Sequence, residues 1–209
     1  MVLRLLTNPD AFFAERAEGA SLVGPTLVVL LIAVVGAIGS YPVFRATAAV
    51  LPSEVGPFVS VFRLVGAVVG VVVTVLVWGL YAVAFHLIAS LAFDGEGTFR
   101  DTLAVVGWGF VPAVFGGVAS AVVNFLVFSD VRFPTDPARI APFVQELRAR
   151  PEFLVSGLLG IVFLLWSAFL WTFAVRHAER LDLREAALTV AGPVVLALLL
   201  RLNGVFGVV

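Results

Sequence analysis

Cysteine and lysine are both absent from this 209-residue sequence, and charged residues of any type make up only 13% of it. Without cysteine, the chain can form no disulfide, no thiol nucleophile and no cysteine-ligated metal site. All 13 basic residues are arginines, and with the abundance of Ala, Val and Gly this indicates a GC-rich prokaryotic genome. The formal net charge is −1, which argues against a nucleic-acid partner, because phosphate binding needs a clustered basic surface.

Motifs of the common enzyme classes are also missing. The sequence has no His-Glu-x-x-His pair, no Walker glycine loop and no Gly-x-Ser-x-Gly elbow. The segment Asp94-Gly95-Glu96 offers too few oxygen ligands for Ca²⁺ and is predicted to be a turn. The predicted membrane spans contain no buried Asp or Glu, which disfavours an ion-coupled transporter. We therefore expect no catalytic residue, no metal and no cofactor.

What the sequence has in abundance is apolar residues, which make up 61% of the chain and give a mean hydropathy of +1.11. A soluble domain is typically about 45–50% apolar and about 25% charged. The few polar residues of this chain cannot cover the surface of a water-soluble fold. The composition therefore predicts an integral membrane protein, with the lipid bilayer as its first partner.

Five apolar stretches are long enough to cross a bilayer, which needs roughly 20 residues in a helix. We predict an all-α fold, a polytopic transmembrane bundle of five spans with short interfacial helices. The second and third stretches exceed the length that a perpendicular span requires, so they are expected to tilt or to project beyond the lipid. Kinks are expected at Pro112 and Pro193, which lie inside spans. The predicted spans are 22–41, 64–91, 103–128, 153–175 and 186–202.

The segments between the spans carry helix-start signals and amphipathic patterns. Asn8-Pro9 is typical of an N-cap followed by the first helical residue. Thr98 with Asp101, and Asp182 with Glu185, have the spacing of capping boxes. Residues 1–20 are predicted to form an interfacial helix, and residues 21–209 a five-span membrane domain. A second interfacial segment carries an apolar stripe of Ile140, Phe143, Val144 and Leu147.

Small residues recur at helical spacing on several predicted spans. Such faces let helix backbones approach closely, either within one bundle or at a seam between two copies. The alternative is that they border a polar conduit. The residues predicted to mediate helix packing or self-association are Gly66, Gly70, Thr74, Gly116, Gly117, Ser120 and Gly160.

Three polar residues within the spans form a second candidate group, namely His86, Asn124 and Ser167. Ionisable groups at membrane depth are rare and often functional. For His86 we weigh an interhelical hydrogen bond or an interfacial position against a proton-linked or ligand role. The segment before the last span is a candidate for docking a protein or anionic headgroups, and there we predict a solvated His177. Its basic residues are Arg176, His177, Arg180 and Arg184.

These landmarks together resemble the Yip family of five-span membrane proteins over nearly the whole chain. Asn8-Pro9 followed by Phe12-Phe13 is similar to the opening of the family, and residues 21–25 resemble its Asp-Leu-x-Gly-Pro motif, with Ser21 in the acidic position. The glycine turn and the third span also resemble the family in Gly95, Gly97-Thr98-Phe99, Gly107-Trp108 and Pro112. So does the loop before the last span, in Arg176, His177, Leu183 and Ala186.

The resemblance implies a cytosolic N-terminus, a C-terminus on the far side and a role without catalysis. Eukaryotic members of the family associate with one another, bind lipid-modified Rab GTPases and act in vesicle formation and membrane shaping. The arginine bias points to a prokaryotic member and hence to the plasma membrane. The distribution of arginines over the predicted loops is nearly even, so the positive-inside rule does not orient the chain.

Two functions therefore stay open at the level of sequence. The first is a non-enzymatic membrane adaptor or organiser that associates with itself and with a protein partner, a small GTPase by family resemblance alone. The second is a small facilitator or channel in which Ser120, Asn124, His86 and Ser167 line a path between helices. A continuous polar cavity favours the facilitator, and a tightly packed interior favours the adaptor.

Overall fold

The computed structural model describes residues 2–17, 19–51 and 53–206, and these residues form helices joined by short connections. The last three residues of the predicted membrane domain, 207–209, lie outside the described residues. A 3₁₀ turn at Ser53–Phe58 precedes the fourth α-helix. The α-helices are α1 Val2–Thr7, α2 Pro9–Ala14, α3 Val23–Ala48, α4 Val59–Ala92, α5 Phe99–Gly109, α6 Val111–Phe128, α7 Pro137–Arg148, α8 Pro151–Ala178 and α9 Leu183–Phe206.

Five helical stretches of the described chain are long and apolar enough to cross a membrane, as the sequence predicts. Each extends beyond the predicted apolar core, because helical backbone continues into the headgroup region where polar residues are tolerated. The second stretch is the longest, at 39 residues. Its α-helical part, α4, has 34 residues, which at 1.5 Å per residue is roughly 51 Å, well beyond a hydrocarbon core of about 30 Å. The stretches are Val23–Ala48, Glu54–Ala92, Phe99–Phe128, Pro151–Ala178 and Leu183–Val205.

The prolines act differently from one span to the next. The predicted kink at Pro112 is a break between α5 and α6 at Phe110, which places Pro112 in the first turn of α6. There its missing N–H costs no intrahelical bond. The first span does not end at Tyr41, as predicted, but continues through the buried Pro42 to Ala48. Helix α9 likewise continues through Pro193.

Helix α5 lies at the centre of the bundle and is contacted by tryptophans from two neighbouring spans. The indole of Trp78 donates to the carbonyl of Leu103 at 2.8 Å, and that of Trp171 donates to the carbonyl of Val106 at 2.9 Å. Both rings belong to one core cluster, in which Trp171 also stacks on Tyr81 with ring centroids 4.7 Å apart. These contacts anchor α4 and α8 to the same short helix.

Glycines that carry the family resemblance provide the space for this packing. A Cβ atom on Gly107 would lie 2.6 Å from the Cβ of Pro25, and one on Gly24 would overlap the Trp108 ring. The start of α3 and the last turn of α5 therefore pack closely together through their glycines. The two motifs are far apart in sequence but form one interface.

The interfacial segments are short helices packed against the ends of the bundle. Asn8 caps α2 by accepting from the Ala11 N–H at 3.2 Å, and Pro9 is the first helical residue. Phe12 and Phe13 are both fully buried. Burial varies along the predicted apolar stripe of α7, since Leu147 is buried whereas Ile140 is 39% exposed.

Candidate functional site

The described residues place a polar cluster where the ends of α4 and α8 meet the start of α5. Its centre is Glu179, the residue that follows the last turn of α8, and its side chain is fully buried. The Nδ1 of His86, on α4, lies 2.8 Å from Oε1 of Glu179. When Glu179 is ionised its carboxylate only accepts hydrogen bonds, and the imidazole then donates through Nδ1.

The hydroxyl of Thr102 on α5 also reaches Oε1 of Glu179, and it lies 3.1 Å from the carbonyl oxygen of Thr98. A hydroxyl has one hydrogen, so Thr102 donates to only one of these acceptors at a time. The second carboxylate oxygen, Oε2, is buried and has no hydrogen-bond partner among the described residues. Such an orphaned acceptor is rare in folded proteins and costs stability.

The turn at 94–97 closes over this carboxylate. The Gly95 N–H donates to the carbonyl of Ala89 at 3.0 Å, and the Glu96 N–H donates to the carbonyl of Glu179 at 3.1 Å. A Cβ on Gly97 would lie 2.7 Å from Glu179 Oε2 and would overlap the carbonyl oxygen of Ala178. The predicted turn is confirmed, but its left-handed residue is Asp94, with φ of 52°, so Gly97 provides space for close approach.

The N-terminal helices dock beside this cluster through Asp10. Oδ1 of Asp10 lies 2.9 Å from Nη1 of Arg176 and 2.7 Å from Nε2 of His177, both in the last turn of α8. The prediction that His177 is solvated is therefore wrong, since its side chain is only 23% exposed. The hydrogen bond from His177 holds the pKa of Asp10 below its ordinary value of 3.8, and Arg176 acts in the same direction.

Hydrogen bonds also join the segment before α3 to the start of α5. The N–H of Ala20 donates to Oδ1 of Asp101 at 3.1 Å, while Thr98 caps α5 by accepting from the Asp101 N–H at 3.2 Å. The second predicted capping box is also confirmed, because the Asp182 and Glu185 side chains each accept from the other's N–H.

We call the joined surface at this end of the bundle the platform, and we define it as residues 2–17, 93–101 and 176–185. Its outer face alternates in charge. Arg180 lies above the turn, with its Nη1 3.4 Å from Oε2 of Glu96, and its backbone has a left-handed φ of 57°. Arg100 and Arg184 are exposed. Three segments distant in sequence thus present one mixed-charge surface.

The small residues predicted for helix packing fall into two groups. Four of them face neighbouring helices of the same chain. Gly116 lies against Phe163 of α8, and Gly117 lies against Val35 of α3. The Ser120 hydroxyl pairs with that of Ser156 at 3.0 Å. The side chain of Arg201 passes over Gly160.

The other three lie on the N-terminal half of α4, where Gly66 and Gly70 are exposed and Thr74 is partly buried. A Cβ on Gly66 or Gly70 would meet no atom of the described residues within 4 Å. The Thr74 hydroxyl donates to the carbonyl of Gly70 at 2.8 Å, so its polar group is satisfied within the helix. The neighbouring Val65 and Val69 are more than half exposed. This part of α4 therefore presents an apolar face with small residues to the bilayer.

The three candidate polar residues within the spans do not meet in one place. His86 belongs to the Glu179 cluster, whereas Asn124 donates to the carbonyl of Gly39 at 3.0 Å and bridges α6 to α3. Ser167 is buried, and its hydroxyl has no partner among the described residues. In the described parts of the chain, no group of three or more His, Asp or Glu side chains is arranged to hold a metal ion.

Sequence reasoning missed Glu179, Thr102 and Asp10 as members of the site. A signal for Glu179 exists, because it lies four residues after Val175 and eight after Trp171, on the buried face of α8. The charged neighbours Arg176 and Arg180 obscured that periodicity. Asp10 carries no comparable signal, since its partners are 166 and 167 residues away in sequence.

Comparison with known proteins agrees with this architecture. The model of the Yip1 domain family matches residues 3–202. An uncharacterized protein of the archaeon Methanocaldococcus jannaschii is 31% identical over 128 residues, which cover 59% of this chain and 88% of that protein. No solved structure matches the chain. The family match covers both the N-terminal helices and all five spans, and the archaeal relative supports a prokaryotic member, so the chain belongs to the Yip1 family of integral membrane proteins.

Proposed function

We propose that this protein is a non-enzymatic membrane adaptor whose docking surface is the platform. The observation that carries the proposal is that three segments distant in sequence are joined there by ion pairs and hydrogen bonds, among them Asp10 with Arg176 and Glu96 with Arg180. A surface held in one conformation before binding loses less entropy when a partner docks. The Yip1 family is not an enzyme family, which agrees with the proposal.

The chemistry of the platform favours a protein partner with charges of both signs. Exposed Arg100 and Arg184 alternate with exposed Asp94 and Asp182 along its outer face. Anionic headgroups alone would select a surface of one sign, whereas complementary mixed charges provide register and specificity between proteins. A small GTPase is the partner that family resemblance implies. We place this surface in the cytosol of a prokaryotic cell, with the protein in the plasma membrane.

Self-association is the second part of the proposal. The outward face of Gly66, Gly70 and Thr74 allows another helix to approach closely, and van der Waals packing of such faces drives association in lipid. The facilitator alternative has less support, because His86 and Asn124 bond to partners in separate parts of the bundle.

The adaptor proposal is tested by crosslinking the tagged protein in its native membrane and identifying what copurifies. We expect a reproducible membrane-associated protein that is lost when Arg180 and Arg184 are changed together to glutamate. The matched control is Arg139→Glu, an exposed arginine on α7, which should retain the partner. Recovery of the protein alone, with solute flux in liposomes, would instead support the facilitator.

A further inference from the structure

The opposite end of the bundle carries a second polar feature, a shallow cleft between the ends of three spans. The cleft consists of two adjoining depressions, which share Asp130, Val131 and Arg132. Arg45, at the end of α3, lines one of them, and Arg150, which precedes α8, lines the other. One acidic side chain, Asp130, also lines it. Among the residues that line the two depressions, three arginines thus stand against one acidic residue, which is an excess of positive charge.

The arginines of this cleft retain capacity to bind an anion. Arg45 donates from Nη2 to the carbonyl of Ser129 at 3.3 Å, which leaves other N–H groups of its guanidinium for a ligand. The side chains of Arg132 and Arg150 are exposed and make no hydrogen bond or ion pair with the described residues. Guanidinium groups match phosphate oxygens in geometry as well as charge.

The depth and the border of the cleft identify the source of the phosphate. All three arginines lie at the ends of membrane spans, where lipid headgroups are found. On one side the cleft is bordered by Leu126, which is 69% exposed, and Val122 is 52% exposed one turn deeper along α6. An amphiphile can thus place its phosphate among the arginines while an acyl chain follows α6 into the bilayer.

We propose that the cleft formed by Arg45, Arg132 and Arg150 binds the phosphate of an anionic membrane phospholipid. The site is independent of the platform, since it lies at the other end of the bundle and uses none of the same residues. If this site is occupied, an anionic phospholipid is bound next to the connection between α6 and α7.

The test uses the full chain in mild detergent and counts bound lipids by native mass spectrometry. Phosphatidylglycerol is compared with phosphatidylcholine of the same acyl chains, and the variant is Arg132→Gln with Arg150→Gln. Each arginine near anionic lipid contributes about 1 kcal/mol, so we expect binding of phosphatidylglycerol to weaken about tenfold or more. The matched control changes Arg63 and Arg139 to glutamine, two exposed arginines that do not line the cleft, and should leave binding unchanged. Arg132→Gln alone, in a connection outside any helix, provides a milder variant with an intermediate loss.

Three outcomes would overturn the proposal. One is equal binding of the two lipids by the unaltered protein. Another is retention of phosphatidylglycerol by the Arg132 and Arg150 double variant, or an equal loss in the control. The third is full displacement of the lipid by millimolar inorganic phosphate, which would show that the cleft selects a free anion rather than a phospholipid.

Discussion

The imidazole Nδ1 of His86 lies 2.8 Å from the buried Oε1 of Glu179, and this contact joins the end of α4 to the end of α8. Removal of one partner from a buried polar pair leaves the other without compensation, whereas removal of both can be nearly neutral. The pair therefore joins α4 to α8 beneath the platform, and its contribution to the free energy of unfolding can be measured.

We expect His86→Leu to lower the free energy of unfolding by about 2–3 kcal/mol. The reason is that Glu179 remains buried but loses its hydrogen bond to the imidazole. Changing both residues to leucine should recover part of that loss. The measurement is a double-mutant cycle from denaturant unfolding in mixed micelles. Additive losses in the double variant would show that the two side chains do not stabilise each other.

The second prediction concerns the turn above the carboxylate. Gly97→Ala places a methyl group against the carbonyl of Ala178 and Oε2 of Glu179, so the turn must move. We expect a loss of thermal stability equivalent to about 1–3 kcal/mol. The control is Gly192→Ala, at a helical position where the added Cβ meets nothing within 4 Å. Equal unfolding temperatures for the two variants would contradict the close packing of the turn.

A third prediction follows from the pKa of Asp10, which the contact with His177 holds below 3.8. A carboxyl group with a depressed pKa contributes stability above its unfolded value, and this contribution is lost as the pH falls through the lowered pKa. Docking of the N-terminal helices should thus persist at pH 4 and weaken below it. Asp10→Asn should loosen them at neutral pH and remove the acid dependence.

Because the chain has no cysteine, a single Leu3→Cys provides a unique site for a spin label on α1, where Leu3 is 77% exposed. The mobility of the label reports docking as a function of pH. A label whose mobility does not differ between the parent and Asp10→Asn at neutral pH would show that the Asp10 contacts do not hold the helices in place.

The fourth prediction tests self-association through α4. Gly66→Leu combined with Gly70→Leu fills the outward face and should reduce crosslinking between copies in the membrane by several-fold, since close approach of backbones is lost. The monomer should fold normally, because a Cβ atom added at either glycine meets no atom of the described residues within 4 Å. Val65→Leu with Val69→Leu, on a neighbouring face, is the control. Unchanged crosslinking of the glycine variant would show that this face of α4 does not mediate self-association.

Local features were the part of the fold that could be predicted. The N-cap at Asn8 and the capping boxes at Thr98 and Asp182 depend on residues within three positions of one another. The five spans follow from apolar runs that the bilayer requires to be helical. The break at Phe110 was harder to predict from the sequence. A proline indicates that a helix is disturbed, but it does not tell whether the helix bends or ends and starts again.

The members of the candidate site were harder to predict, since each depends on a contact between spans. His86 was recognised as unusual, but its partner Glu179 lies 93 residues away, and Thr102 lies 77 residues from Glu179. Nothing in the sequence singles out Asp10, because its partners Arg176 and His177 meet it only when α2 packs against α8.

The sequence by itself determined that this protein is a five-span helical membrane protein of the Yip1 family. Composition, the length of the apolar runs and the capping motifs can all be recognised without knowing any contact between helices. Only the tertiary structure decided which glycines face inward, as Gly116 does, and which face outward, as Gly66 does. It also decided that Glu179 is buried. The physical reason is that many faces of a membrane helix are similarly apolar, so the choice among them depends on shape complementarity between helices that the chain brings together only when folded.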